Sequence, residues 1–242
     1  MKKIKSMVIF TLLALVLTAC GNSDSTETNS NGVKDTQNGG ITTEAEEDKK
    51  DNEGEKFDGI LTEEILRNHK VSPESDFEWK KTSDGVIISK YIGNDDIVVI
   101  PETFDGKNVT EISTTIFSNN DDVIGVLLPK TVTSLTKCSF FGCAKLQMVI
   151  SDGAEEIGTI AFQDCPELRT VILSNNLNRI EDGAFAGCYK LEKLRIPSTL
   201  QKVLESAPGY SFAACKKLTI YGEAGSFIEQ YCKDNNISFQ AE

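Results

Sequence analysis

The 242-residue chain has one histidine, His69, and far fewer basic than acidic residues: 25 lysines and arginines stand against 37 aspartates and glutamates, for a net charge of −12. With His69 placed beside a predicted helix end, no Ser-His-Asp or Cys-His arrangement can be built. The shortage of positive charge excludes a nucleic-acid partner, which needs clustered cations to neutralise phosphates. It also excludes electrostatic attraction to anionic lipid. The seven cysteines contain no C-x-x-C pair, and without a histidine cluster they offer no metal site. No phosphate loop, H-E-x-x-H or EF-hand loop occurs. The sequence therefore predicts no cofactor and no catalysis. No apolar run reaches the roughly 20 residues that a membrane-spanning helix requires. The amino-terminal run, residues 7–16, is ten residues broken by Thr11.

That short run is informative in another way. Lys2, Lys3 and Lys5 precede it and Leu17-Thr18-Ala19-Cys20-Gly21 follows it. This is the order of an export signal: a positive start, an apolar middle and small residues before the cut. The last five residues resemble the bacterial lipobox. The resemblance implies removal of residues 1–19 and a diacylglyceryl group on Cys20. Two acyl chains hold a protein to a bilayer stably, whereas one gives only reversible binding. Loss of the three lysines takes the net charge from −12 to −15, so the lipid is the expected means of anchoring. Residues 20–58 then read as an acidic tether. They are rich in Ser, Thr, Asn, Gly, Asp and Glu, with only Val33, Ile41 and Phe57 as sizeable apolar side chains. Such a segment cannot bury enough surface to offset its ordering entropy. A random coil of this length spans roughly 35 Å, which keeps the folded part near the extracytoplasmic face of the membrane.

Residues 59–76 predict a short helix, with Thr62 as N-cap, Glu63 and Glu64 in the first turn and Leu61 and Leu66 at staple spacing. Pro73 ends it. Strand patterns follow at residues 77–80, 86–91 and 97–100, separated by turn signals. From there the sequence repeats. Ser139-Phe140-Phe141-Gly142-Cys143, Ala161-Phe162-Gln163-Asp164-Cys165, Ala184-Phe185-Ala186-Gly187-Cys188 and Ser211-Phe212-Ala213-Ala214-Cys215 share a frame, with a weaker version at Ile116-Phe117-Ser118-Asn119-Asn120. Each cysteine is followed three residues later by Leu146, Leu168, Leu191 or Leu218, and a short strand comes next. Units of about 23 residues cannot bury their own apolar side, but stacked units can. The prediction is a β-rich repeat solenoid over residues 77–242. Its carboxyl end is closed by a helix that starts at Ser226 and a final strand at Ile237 and Phe239.

The repeat strongly resembles the BspA-like class of leucine-rich repeats found on bacterial surfaces. The opening Asp84-Gly85-Val86-Ile87-Ile88, Tyr91-Ile92-Gly93 and Asp105-Gly106-Lys107-Asn108-Val109 also look like that family's first turn. Departures are Ser151-Asp152-Gly153 in place of a strand-ending proline, and Asn120 in place of a cysteine. The resemblance implies adhesion to, or recognition of, a protein or other envelope or host macromolecule. A wall-associated enzyme or accessory subunit is the alternative, since carboxylates are abundant and a glycosidase-like pair is compatible with the sequence.

Three further expectations concern particular side chains. Cys143, Cys165, Cys188 and Cys215 form one inward column and should be reduced, because in-register Cβ atoms stay near 4.8 Å, beyond disulfide range. Cys138 is off that column; it could pair with Cys143, and a free thiol is expected. The extra residues within 204–210 predict an exposed, removable loop. Finally, strand alternation sends Leu127, Met148, Ile150, Ile172 and Arg195 outward. They form either an apolar interaction stripe or a surface that the amino-terminal segment covers. Contact with the membrane is expected through the anchor only, and the chain is expected to be monomeric.

Overall fold

The computed structural model describes residue 57 and residues 59–242. The signal, Cys20 and nearly all of the tether lie outside the described residues. The elements in chain order are α1 (Glu63–Arg67), β1 (Phe77–Lys81), β2 (Val86–Tyr91), β3 (Ile97–Val99), β4 (Thr103–Phe104), β5 (Lys107–Ile112), β6 (Gly125–Leu127), β7 (Ser134–Leu135), β8 (Met148–Ser151), β9 (Glu156–Ile157), β10 (Thr170–Leu173), β11 (Arg179–Ile180), β12 (Lys193–Arg195), β13 (Lys202–Val203), β14 (Thr219–Gly222), α2 (Phe227–Asp234) and β15 (Ser238–Ala241). They form a β-solenoid in which each full repeat gives one longer and one two-residue strand. The longer strands build a seven-stranded sheet, β15-β14-β12-β10-β8-β6-β3, and the short ones a four-stranded sheet, β13-β11-β9-β7. Every pairing in both is parallel. The register is strict: Val126 lies beside Val149 and Val149 beside Val171. At the amino end β1 and β2 form an antiparallel hairpin, and β2 pairs parallel with β5.

The core follows from that register. Val98, Val126, Val149, Val171, Leu194 and Ile220 enter it from the larger sheet, Leu135, Ile157 and Ile180 from the smaller one, and Ile112 from β5 beside them; all are buried. The repeat phenylalanines complete it. Phe117, Phe140, Phe162, Phe185 and Phe212 stack with centroid separations of 5.3, 5.1, 5.2 and 5.4 Å and interplanar angles below 10°. These are offset-stack distances. The column is finished at both ends by other rings, Tyr91 against Phe117 and Tyr231 edge-on to Phe212.

Beside the rings runs the thiol column. Cys143, Cys165, Cys188 and Cys215 are all free. Each Sγ donates to the carbonyl of the phenylalanine one turn earlier: Cys143 to Phe117 (2.9 Å), Cys165 to Phe140 (2.9 Å), Cys188 to Phe162 (3.1 Å) and Cys215 to Phe185 (3.1 Å). Burial raises the pKa of Cys165 and Cys188. Cys215, on the last repeat turn, is only half-buried. Cys138 is buried in a left-handed backbone position, φ 57°, outside the thiol column, and does not pair with Cys143, whose thiol is free.

At the carboxyl end α2 buries Ile228 and Cys232 against the last turn, and burial pushes the Cys232 thiol up to about 11. Ser226 stands at the N-cap, but its hydroxyl is buried without a partner; instead Glu229 reaches back to the Gly225 amide at 2.6 Å. The loop at residues 204–210 is only partly the free loop expected. Leu204 is exposed, yet Glu205 turns inward and accepts from Gly209 N (3.0 Å), Ser211 N (2.7 Å) and the Tyr231 hydroxyl (2.6 Å). One carboxylate therefore folds the insertion and ties it to α2.

Candidate binding face

The outer face of the seven-stranded sheet carries two columns. One reads Ile97, Gly125, Met148, Thr170, Lys193, Thr219; the other Val99, Leu127, Ile150, Ile172, Arg195, Tyr221. Alternation thus placed all five singled-out residues on this face. It did not leave them equally accessible. Ile150 is fully buried and Met148 is 5% exposed, so the continuous exposed stripe is corrected. The cover is the amino-terminal segment.

Leu61 and Leu66 from the α1 segment join Ile97, Val99, Ile124, Met148 and Ile150 in a second apolar cluster, with Phe57, Leu127 and Ile172 packed at its edge. Burying a leucine side chain stabilises by about 1.5–3 kcal/mol, so two of them hold so short a helix down. The close approach depends on Gly125. A Cβ there would lie 2.2 Å from Leu61 Cδ2. Polar contacts fix the placement. Thr62 caps α1 by accepting from Ile65 N. The Gln147 side chain accepts from Leu61 N (3.0 Å) and donates to Gly59 O (3.3 Å). Arg67 binds both oxygens of Asp152, at 2.8 and 3.0 Å. That guanidinium holds the Asp152 carboxyl below its ordinary range, and the Asp152 carboxylate raises the Arg67 pKa. Farther along, Ser72 N donates to Val99 O (2.9 Å) and Ser72 Oγ accepts from Val99 N (3.2 Å). The first edge of the sheet is closed by those two bonds.

Beyond α1 the face opens. Ile172, Leu173 and Tyr221 are half-buried, while Lys193 and Arg195 are exposed. They line a cleft of about 380 Å³ whose rim includes Glu63 and Glu242. Arg195 forms an ion pair with Glu242. The residues that sequence reasoning missed are Gly125, Gln147, Asp152, Lys193 and Tyr221. For Lys193 and Tyr221 a signal existed, since they share the outward columns; for the contacts that seat α1 none did.

Three of the turn carboxylates hold structural contacts. Asp95 pairs with Lys70, Asp96 accepts from Phe57 N, and Glu156 pairs with Arg179. His69 sits just past the end of α1. Among the described residues no group of three or more His, Cys, Asp or Glu is placed to hold a metal ion.

Comparison with known proteins places this geometry. A leucine-rich repeat protein of T. pallidum is similar in structure, with a TM-score of 0.58 and 30% identity over 63% of this chain and 71% of its own. A leucine-rich repeat protein from Bacteroides capillosus is 23% identical over 64% of this chain and 100% of its own, TM-score 0.39. The pneumococcal vaccine antigen PcpA is 15% identical over 70% of this chain and 49% of its own, TM-score 0.46. No curated protein sequence matches the chain. The BspA type leucine rich repeat region matches residues 100–237 in six copies. That span is more than half of the sequence, and the chain belongs to the family of BspA-type leucine-rich repeat proteins.

Proposed function

We propose that this protein is a lipid-anchored, extracytoplasmic binding protein without catalytic activity. In this reading residues 1–19 are removed on export, acylated Cys20 holds the mature chain in the membrane, and residues 20–58 tether the solenoid close to it. The solenoid acts as a monomer and binds a protein through the open part of the seven-stranded sheet. The observation that carries the reading is the division of that face: α1 covers its first strands, while β10, β12 and β14 present Ile172, Arg195 and Tyr221 around a cleft. A solenoid sheet offers just such an extended surface of residues set by the repeat period.

The test uses a photo-crosslinking amino acid in living cells. Placed at Tyr221 or Thr170 it should give discrete adducts; placed at Lys202, on the smaller sheet, it should not. Adducts from Lys202 alone, or from no position, would refute the binding face. In parallel, Cys20→Ser should move the protein out of the membrane fraction, and an unmodified Cys20 in the wild-type amino-terminal peptide by mass spectrometry would refute the anchor.

A further inference from the structure

We infer that the open half of the sheet face holds a short peptide segment of a partner protein, one that carries carboxylates next to apolar side chains. This rests on the reading of that face as a binding surface and adds the chemistry of the occupant.

The covered half shows what this sheet accepts. A short segment lies across the parallel strands, seats Leu61 and Leu66 on Gly125, Met148 and Ile150, is held by Gln147 through its main chain, and is locked by an arginine on Asp152. The apolar floor continues past α1 through Ile172, which packs at the edge of the same cluster, to Leu173 and Tyr221 in the cleft. A second segment would thus extend an interface the molecule already builds.

The sign of the charge changes along the way. Where the covered half offers Asp152 to an arginine, the open half offers Lys193 and Arg195 from one strand, on a chain of net charge −12. Among the described residues Lys193 has no ion-pair partner, and Arg195 already holds a carboxylate, that of Glu242. The Arg195 side chain is 73% exposed; an ion pair of that kind is weak, so an incoming carboxylate can exchange with Glu242. A polyanion fits less well. Glu63 and Glu242 on the rim would repel a continuous run of negative charge, and it would leave the apolar floor unused. A peptide of mixed acidic and apolar character satisfies both features.

The test uses the full lipidated chain in detergent micelles and a displayed library of random twelve-residue peptides. The expected selection is enriched in Asp or Glu adjacent to Leu, Ile, Phe or Trp. The enriched peptide, fluorescein-labelled, should lose at least about tenfold in affinity to Lys193→Glu/Arg195→Glu, as loss of a complementary charge pair does. It should lose less to Arg195→Gln, gain with Glu242→Gln, and be unaffected by Lys202→Glu, which makes the same charge change on the other sheet. Selection of Lys- or Arg-rich peptides, or affinity indifferent to Arg195, overturns the inference. So does tighter binding of dextran sulfate that ignores Ile172→Ala and Tyr221→Ala. If no peptide is enriched while crosslinks from Tyr221 persist in cells, the occupant class is wrong and the binding face stands; if both fail, both readings fall.

Discussion

Ser139 and Ser211 occupy the same column as Ala161 and Ala184, one residue before the stacked rings, and all four are buried. The two serines differ in satisfaction. Ser211 Oγ donates to Glu181 O at 3.1 Å, whereas Ser139 Oγ has no partner. A buried unsatisfied hydroxyl costs about 1–3 kcal/mol and a made bond contributes about 1 kcal/mol. Ser139→Ala should therefore stabilise the fold by about 1 kcal/mol, and Ser211→Ala should destabilise it by a similar amount; calorimetric melting of the two variants should shift in opposite directions. The thiols also sort by position. Native alkylation should label Cys215 first, while Cys143, Cys165 and Cys188 react only after denaturation, because burial both shields these three and raises the pKa of Cys165 and Cys188. Peptide mapping after timed alkylation reads this directly, and fast native labelling of Cys165 would contradict the packing. At this scale the spacing of Phe and Cys gave away the columns, since side chains of one register must stack. It could not reveal which serine finds a carbonyl, because that depends on contacts between distant segments.

The covering of the sheet by α1 leads to an acid-sensitivity. In the folded chain Arg67 holds the Asp152 carboxyl below the ordinary carboxylate value of about 3.9. The contribution of the pair is then complete above that value and is lost as pH falls through the lower, folded one. Hydrogen exchange of residues 61–67 should accelerate at acid pH ahead of the β10–β14 amides, and Asp152→Asn should show the fast exchange already at neutral pH. Burial also separates two otherwise similar substitutions. Ile150→Asp places a carboxylate in a fully closed site and should cost about 3–5 kcal/mol, whereas Ile172→Asp at the half-open edge should cost about 1 kcal/mol or less. Equal melting temperatures for the two would mean that α1 does not close the face. In the insertion, Glu205→Ala leaves three donors without their acceptor and should cost about 1–3 kcal/mol, an effect visible in urea unfolding. Period-two alternation was enough to choose the face for Met148 and Ile150. It was silent about the cover, because the α1 segment is too short to carry a periodic pattern of its own and its seat is a glycine on one turn and an amide and a carboxylate on the next.

Along the solenoid each strand pairs with those of the turns before and after it, and the bonds between turns run both ways. Thiols of one turn donate backward to the ring-bearing residue before them. Main-chain amides point forward: Phe117 N to Ser139 O, Phe140 N to Ala161 O, Phe162 N to Ala184 O, and Phe185 N to Ser211 O, all at 2.8–2.9 Å. The architecture was legible because these couplings are local in the stack and recur every repeat. Removing one ring should be felt at two interfaces at once. Phe162→Ala should cost about 3–5 kcal/mol, and it should broaden unfolding into two steps because the turns on either side lose their link. The forward-pointing amides have a consequence for the order in which the molecule is made. A ribosome delivers the amino end first, so each completed turn waits with an open amide until the next one arrives to accept it. The solenoid is thus assembled like a course of roof tiles, every row sealed by the one laid after it, while the amide of the last ring turns back to its own loop, Phe212 N to Gly209 O at 3.3 Å.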